Sequence, residues 1–162
     1  MTISSNQKIG FRMMNYSIKT DGCTSRELVL HAVVRDIIKW IDGNLDVNLR
    51  VDVITRRSGY THWYFQRRFK EITGISIADY IRICRVINAT SALITTDKNI
   101  MSIAMDNGFS SQQTFTRVYR HYVNEPPGSI RKAYCGEPAY VESMRSEMFQ
   151  SYPFFQSRDT TH

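Results

Sequence analysis

Two short stretches of the chain carry side chains suited to reading nucleic-acid bases. In the first, Trp63, Gln66, Arg67 and Lys70 fall within one eight-residue span, and in the second Gln113, Thr116, Arg117 and Arg120 do. Arginine can bond guanine O6 and N7 bidentately, glutamine can bond adenine N6 and N7, and an indole edge can touch the thymine methyl. A base one turn further along, Lys70 or Arg120, is better placed for phosphates. So are the free amide N–H groups at a helix start, here at Thr61 and Ser110.

The two stretches are related by a weak internal repeat. Gly59-Tyr60-Thr61 matches Gly108-Phe109-Ser110 at an offset of 49, with Ile54 matching Ile103 and Thr55 matching Ala104 before them. After one inserted residue the offset becomes 50: Phe65 matches Phe115, Arg67 matches Arg117, Phe69 matches Tyr119, Lys70 matches Arg120 and Ile72 matches Tyr122. Each copy reads as helix, glycine turn, helix.

Projection of the second helix of each copy at about 100° per residue separates two faces. Phe65, Phe69 and Ile72 lie opposite Trp63, Gln66, Arg67 and Lys70; Phe115, Tyr119 and Tyr122 lie opposite Gln113, Thr116, Arg117 and Arg120. One such basic face is ordinarily just solvated. The same composition in the same register twice points to a contact surface. Trp63 belongs with that surface because it opposes Phe65 and Phe69, whereas Trp40, Phe65, Phe69, Phe115 and Tyr119 are expected in the core.

The elements that must position these faces are all helical. Val34, Ile37, Ile38, Ile41 and Leu45 give an amphipathic helix over His31–Leu45. A short helix over Val51–Ser58 ends at Gly59, and Thr61 can cap the next, which runs to Gly74. Ser76 with Asp79 opens a long helix, Asp79–Thr95, striped by Tyr80, Ile81, Cys84, Ile87 and Leu93. Asn99 caps a helix from Ile100 to Asn107, Gly108 breaks it, and Ser110 with Gln113 opens another to about Val123 before Pro126-Pro127-Gly128 and a short final turn. No stretch alternates long enough to be a strand. The expected fold is all-α, with two helix-turn-helix units joined by a long central helix and about seven helices in all. The central helix spans about 26 Å, enough with its turns to hold two recognition helices about one DNA turn apart, roughly 34 Å.

Charge agrees. Of 21 basic and 15 acidic residues, 15 and nine lie between positions 31 and 134, so the whole net charge of +6 belongs to that segment. Such a surplus suits a polyanion. The segment divides into a first unit (31–75), a linker helix (76–97) and a second unit (98–134). Residues 1–30 read as a flexible N-terminal extension and 135–162 as a C-terminal extension. In the latter, Tyr140, Met144 and Met148 recur every four residues, followed by Tyr152, Phe154 and Phe155. That stripe fits either a helix docked on the helical units or an exposed surface for a protein partner.

Several classes are excluded. No run is apolar enough to span a membrane and the N-terminus lacks a signal-peptide core, so a cytoplasmic location is expected. Cys23, Cys84 and Cys135 form no C-x-x-C pair, which argues against disulfides and zinc. No nucleophile motif surrounds them or His31, His62, His121 and His162, so no enzyme and no cofactor is expected.

The segments Ser58-Gly59-Tyr60-Thr61-His62-Trp63-Tyr64-Phe65-Gln66-Arg67-Arg68-Phe69-Lys70, Tyr80-Ile81-Arg82 and Gly108-Phe109-Ser110-Ser111-Gln112-Gln113-Thr114-Phe115-Thr116-Arg117, with Pro127, resemble the AraC/XylS family of bacterial transcription regulators, and within it the short MarA/SoxS/Rob branch. The resemblance covers about residues 31–134. It implies an activator that binds double-stranded promoter DNA as a monomer and works with RNA polymerase. It also implies base reading by Trp63, Gln66 and Arg67 in the first unit and by Gln112, Gln113, Thr114 and Arg117 in the second. Arg82 joins Lys70, Arg120, Thr61 and Ser110 as phosphate contacts. The sequence departs from the family pattern at Arg50, Cys84 and Ile130, and neither flank is long enough for a small-molecule effector domain. The competing function is a protein-interaction module or anti-activator that keeps the fold but titrates a partner through the 140–155 segment.

Overall fold

A computed structural model describes Gly22, residues 24–47 and residues 49–156. Among these there are eight α-helices, one 3-10 turn and no strand: α1 (Ser25–Asp42), α2 (Val51–Arg57), α3 (His62–Thr73), α4 (Ile77–Thr95), α5 (Ile100–Asp106), α6 (Gln112–Val123), α7 (Pro127–Tyr134), α8 (Pro138–Phe149) and the turn η1 (Pro153–Phe155). The fold is the all-helical, twin helix-turn-helix arrangement that the repeat predicts, with α8 as an additional helix.

α1 begins at Ser25, six residues before the periodic stretch that predicted it. Thr24 and Glu27 form a reciprocal capping box, in which the Glu27 carboxylate accepts from the Thr24 amide at 2.9 Å, and Leu30 is already in the core. The helical part of the expected loose extension is thereby corrected. The rest of that extension, residues 1–21 and 23, lies outside the described residues. Asp42 ends α1, so Leu45 is buried from a turn and not from the helix.

α4 is the axis of the structure. Ser76 caps it, accepting from the Asp79 amide at 3.1 Å, and eleven of its 19 residues are buried. A helix apolar on most of its circumference must be covered on most sides. α5, α6, α7 and α8 pack along it, and α3 meets it near its N-terminus. Phe65, Phe69, Phe115, Tyr119, Ile54 and Ile103 have no exposed surface, so matching positions of the repeat fill matching places in the core. The Tyr119 hydroxyl, buried with them, is paired with Thr90 Oγ1 at 2.8 Å. Trp40 is only half-buried, contrary to its expected core place, and the Arg57 guanidinium lies over its ring at 4.8 Å.

Two arginines have architectural roles that the charge pattern conceals. Arg85 donates to the carbonyls of Leu45 and Val47 at 3.1 and 2.6 Å, tying down the chain between α1 and α2. Arg131 donates to Leu93 and Lys98, holding the chain between α4 and α5. Each unit thus has an arginine bracing the segment that leads into its helix-turn-helix.

The C-terminal stripe is docked. Val141, Met144, Phe149 and Phe155 are buried, while Tyr140 and Met148 are half-buried. The apolar face is therefore centred on Val141, Met144 and Phe149, which lie at helical spacing and share Met144 with the four-residue pattern of Tyr140, Met144 and Met148 read from the sequence. Of the stripe that the anti-activator reading would expose, Met144 and Phe155 are buried and Tyr140, Met148, Tyr152 and Phe154 are half-buried.

Candidate nucleic-acid interface

In the first unit, α2 and α3 are joined by Ser58-Gly59-Tyr60-Thr61. Gly59 takes φ +77°, a left-handed conformation that favours glycine. Ser58 Oγ donates to Thr55 O at 2.6 Å and accepts from the Tyr60 amide at 3.2 Å, fixing the turn. Thr61 stands at the N-cap of α3, but its side chain makes no capping bond. With Phe65 and Phe69 buried, α3 must turn its other face outward. Trp63 is 83% exposed there, an extreme value for tryptophan, next to exposed Arg67 and Lys70 and half-buried Gln66.

These side chains are held unequally. Arg67 donates to Glu71 at 2.8 Å and Arg68 donates to the same carboxylate at 2.6 Å. Those two bonds hold the Glu71 carboxyl below its ordinary range. Lys70 has no ion-pair partner among the described residues. Gln66 bonds through its amide nitrogen to His62 Nε2 at 2.6 Å, and His62 Nδ1 is 2.8 Å from Thr55 Oγ1.

In the second unit the turn is tighter. Gly108 has φ +74°, and a Cβ there would lie 2.5 Å from the Arg85 guanidinium and 2.9 Å from Leu45 O. The expected opening of α6 at Ser110 is corrected by one residue: Ser111 is the cap, accepting from the Thr114 amide at 3.1 Å. Its hydroxyl also donates to Thr114 Oγ1 at 3.0 Å, so Thr114 is half-buried and engaged. Gln112, Gln113, Arg117 and Arg120 are exposed. They line, with Ser110, Ser111, Thr116, Met101 and Met105, one concavity of about 910 Å³ between α5 and α6. Arg117 and Arg120 have no ion-pair partner among the described residues.

Met101 and Met105 were missed by the sequence reading, although the repeat contained the signal. At the offset of 49 they match Asp52 and Arg56, which form an ion pair at 3.1 Å on α2. In the second unit that pair is replaced by two methionines, 56% and 46% exposed, at the rim of the concavity.

Arg82 lies on α4 and donates to Asp79 at 2.8 Å; the Tyr122 hydroxyl of α6 bonds the same carboxylate at 3.3 Å. The Ser76 hydroxyl, at 2.7 Å, is the largest influence holding Asp79 below the ordinary carboxylate range. Among the described residues no three His, Cys, Asp or Glu side chains converge on a possible metal site, and no helix is long and apolar enough to cross a membrane.

A family model described as a helix-turn-helix domain matches residues 54–133. Regulatory protein SoxS of Escherichia coli K12 is 43% identical over 99 residues, covering 61% of this chain and 92% of SoxS. The chain belongs to the AraC/XylS family. Its likeness is to the MarA/SoxS/Rob branch, for the right origin-binding protein of E. coli K12 is also 38% identical over 101 residues, 62% of this chain and 35% of that protein. As an AraC-type protein it is a DNA-binding transcription regulator, and family membership removes the enzyme reading.

A solved AraC-type transcriptional regulator from Chromobacterium violaceum superposes with a TM-score of 0.61 at 26% identity, over 67% of this chain and 96% of that one. The DNA-binding domain of AdpA, solved with a target DNA, shares the fold at a TM-score of 0.62 and 24% identity, over 65% of this chain and 96% of that one. The AraC-type departures have local consequences. Arg50 provides no side-chain cap for α2 and instead pairs with Asp52 at 3.3 Å, Cys84 is fully buried, and Ile130 packs in the core.

Proposed function

We propose that this chain binds an asymmetric promoter site as a monomer, setting α3 and α6 into successive major grooves on one face of the duplex, and activates transcription by contacting RNA polymerase. The observation that carries the reading is the pair of outward faces. The first presents Trp63 at 83% exposure with Gln66, Arg67 and Lys70; the second presents Gln112, Gln113, Arg117 and Arg120 around one concavity.

Trp63, Gln66 and Arg67 in the first unit and Gln112, Gln113 and Arg117 in the second read base edges in this account. Thr114, bonded to Ser111, offers its methyl group for apolar contact with thymine. Lys70, Arg120, Thr61 and Ser110 take phosphates, and Arg82 reaches a phosphate by leaving Asp79. The two faces differ in sequence, so the site is asymmetric. The protein works in the cytoplasm, where promoter and polymerase are.

Selection of bound duplexes from a random pool tests this. The expected product is a site with two dissimilar half-sites centred about 10 to 10.5 bp apart, occupied by one protein per duplex. A palindrome, or two chains per site, would overturn the monomer reading. Transcription from that site with purified RNA polymerase should rise when the protein is added.

A further inference from the structure

Beyond α7 the chain turns back along α4, and the contacts follow it in reverse order. The Gly136 amide donates to Ile94 O at 2.9 Å, and Tyr140 stacks on Tyr134 of α7 at 3.7 Å between centroids. One turn on, Met144 Sδ accepts from Thr90 at 3.7 Å. Phe149 and Phe155 then pack on Tyr80 near the start of α4, at 5.9 and 5.2 Å. Tyr152 reaches the glycine that ends α3: a Cβ on Gly74 would lie 3.2 Å from its ring. The segment therefore begins on the last helix of the second unit and finishes on the recognition helix of the first. α3 meets η1 about as broadly as it meets α4. The family model's match ends at residue 133, before this segment starts.

We propose that α8 and η1 form an intramolecular strap that fixes the pose of the first recognition unit relative to the second, and thereby sets the half-site spacing that the protein accepts. This rests on the two-groove reading above. Two units joined by one helix could otherwise rock about the α3–α4 junction, where Phe69 of α3 meets Tyr80 of α4 at 6.4 Å between ring centroids. Tyr152 and Phe155 pack at that junction, Tyr152 against Gly74 and Phe155 against Tyr80. An inserted base pair moves one half-site by about 3.4 Å and turns it by about 35° relative to the other, a displacement that a clamped pair of units cannot follow. The cost of building the strap is ordering one more helix; what it contributes is discrimination by spacing, which no base contact supplies.

The test uses the full chain and the duplex that it selects from a random pool, with versions carrying one or two extra base pairs between the half-sites. The unaltered protein should lose about 30-fold or more in affinity on a one-base-pair insertion, comparable with one or two mismatched base pairs. The variant Tyr152→Ala/Phe155→Ala should bind the original duplex within about threefold of the unaltered protein yet lose no more than about fivefold on the insertion. Circular dichroism establishes that it is folded. If it is not, Tyr152→Ala alone, at a half-buried position, decides, and its insertion penalty should be at least about threefold smaller than that of the unaltered protein. Tyr152→Phe should restore the full penalty. An unchanged penalty, or equal weakening on every spacing, would overturn the strap. A selected site with a single half-site would instead overturn the two-groove reading, and the strap's role with it.

Discussion

The amide nitrogen of Gln66 lies 2.6 Å from Nε2 of His62, one turn earlier on α3. Thr55 Oγ1 donates to Asp52 O at 3.2 Å, so at its 2.8 Å contact with His62 it is left to accept from Nδ1–H. His62 Nε2 then accepts from Gln66. One Gln66 N–H is used, leaving the other N–H and the carbonyl oxygen, the pair that adenine N7 and N6 require. His62→Ala should therefore relax base preference at the Gln66 position by about 5- to 100-fold while leaving affinity for random DNA unchanged. Selection from a random pool with each protein checks it; unaltered preference at that position would refute the alignment role.

Arg67 and Arg117 occupy matching places in the repeat but not matching environments. Arg67 is tied to Glu71 at 2.8 Å, while Arg117 has no ion-pair partner among the described residues. To reach a base, Arg67 must leave Glu71, an exposed pair of small value. Glu71→Gln should tighten specific DNA binding by about two- to fivefold, because the competing carboxylate and its repulsion of phosphates both go. Arg67→Ala and Arg117→Ala should each relax preference in one half-site only, and the Arg117 change should cost more affinity. Mobility-shift titrations on specific and random duplexes measure both.

Salt dependence counts the phosphates. If about five are neutralised, the slope of log K against log salt is near −4.5, and Lys70→Ala or Arg120→Ala should each flatten it by about 0.9. Arg85→Ala and Arg131→Ala should leave the slope unchanged, since those guanidinium groups are spent on backbone carbonyls. A slope flatter than about −2 for the unaltered protein would exclude contacts across two grooves.

The contribution of Asp42 to stability should fall as pH rises between about 4 and 7. Burial pushes the Asp42 carboxyl up to about 7, against the opposing influence of the Tyr80 hydroxyl at 2.7 Å and of Arg145. The unfolded chain releases that proton near 3.8, so across this window the folded state binds more protons and loses stability as they leave. Asp42→Asn keeps an acceptor for Tyr80 and should raise stability at pH 7.5 by on the order of 1–2 kcal/mol, with little gain at pH 4. Denaturant titrations at the two pH values measure the difference.

Gly108→Ala should destabilise the fold by about 1–3 kcal/mol, through φ +74° and a methyl group set 2.5 Å from the Arg85 guanidinium. Gly59→Ala meets nothing within 4 Å and carries only the cost of its φ, so it should be milder. Thermal unfolding of the two variants ranks them.

Much of this molecule is legible in its sequence. The helical stripes, the glycine turns and the offset between Arg67 and Arg117 follow from angular arithmetic along one helix, so the division between Phe65 or Phe69 inside and Trp63 or Arg67 outside needed no tertiary information. Helix starts were less well defined. Ser110 and Ser111 are equivalent in type, and only the bond that Ser111 Oγ accepts from the Thr114 amide decided that the second is the cap. Thr24 and Glu27 spell a capping box and Leu30 stands four residues before Val34 on the same stripe, so the earlier start of α1 was legible in the sequence although the reading placed it at His31.

The tertiary structure alone decided which charges are free and which apolar stripe is covered. An arginine can serve a phosphate or a carbonyl equally well by its chemistry. Arg85 and Arg131 are committed because the fold sets the carbonyls of Leu45, Val47 and Leu93 within their reach. The stripe of α8 is likewise the same sequence whether docked or exposed. It is buried because α4, apolar around most of its circumference, had one side left to cover, and a partner within the same chain covers it without the entropy cost of recruiting another molecule.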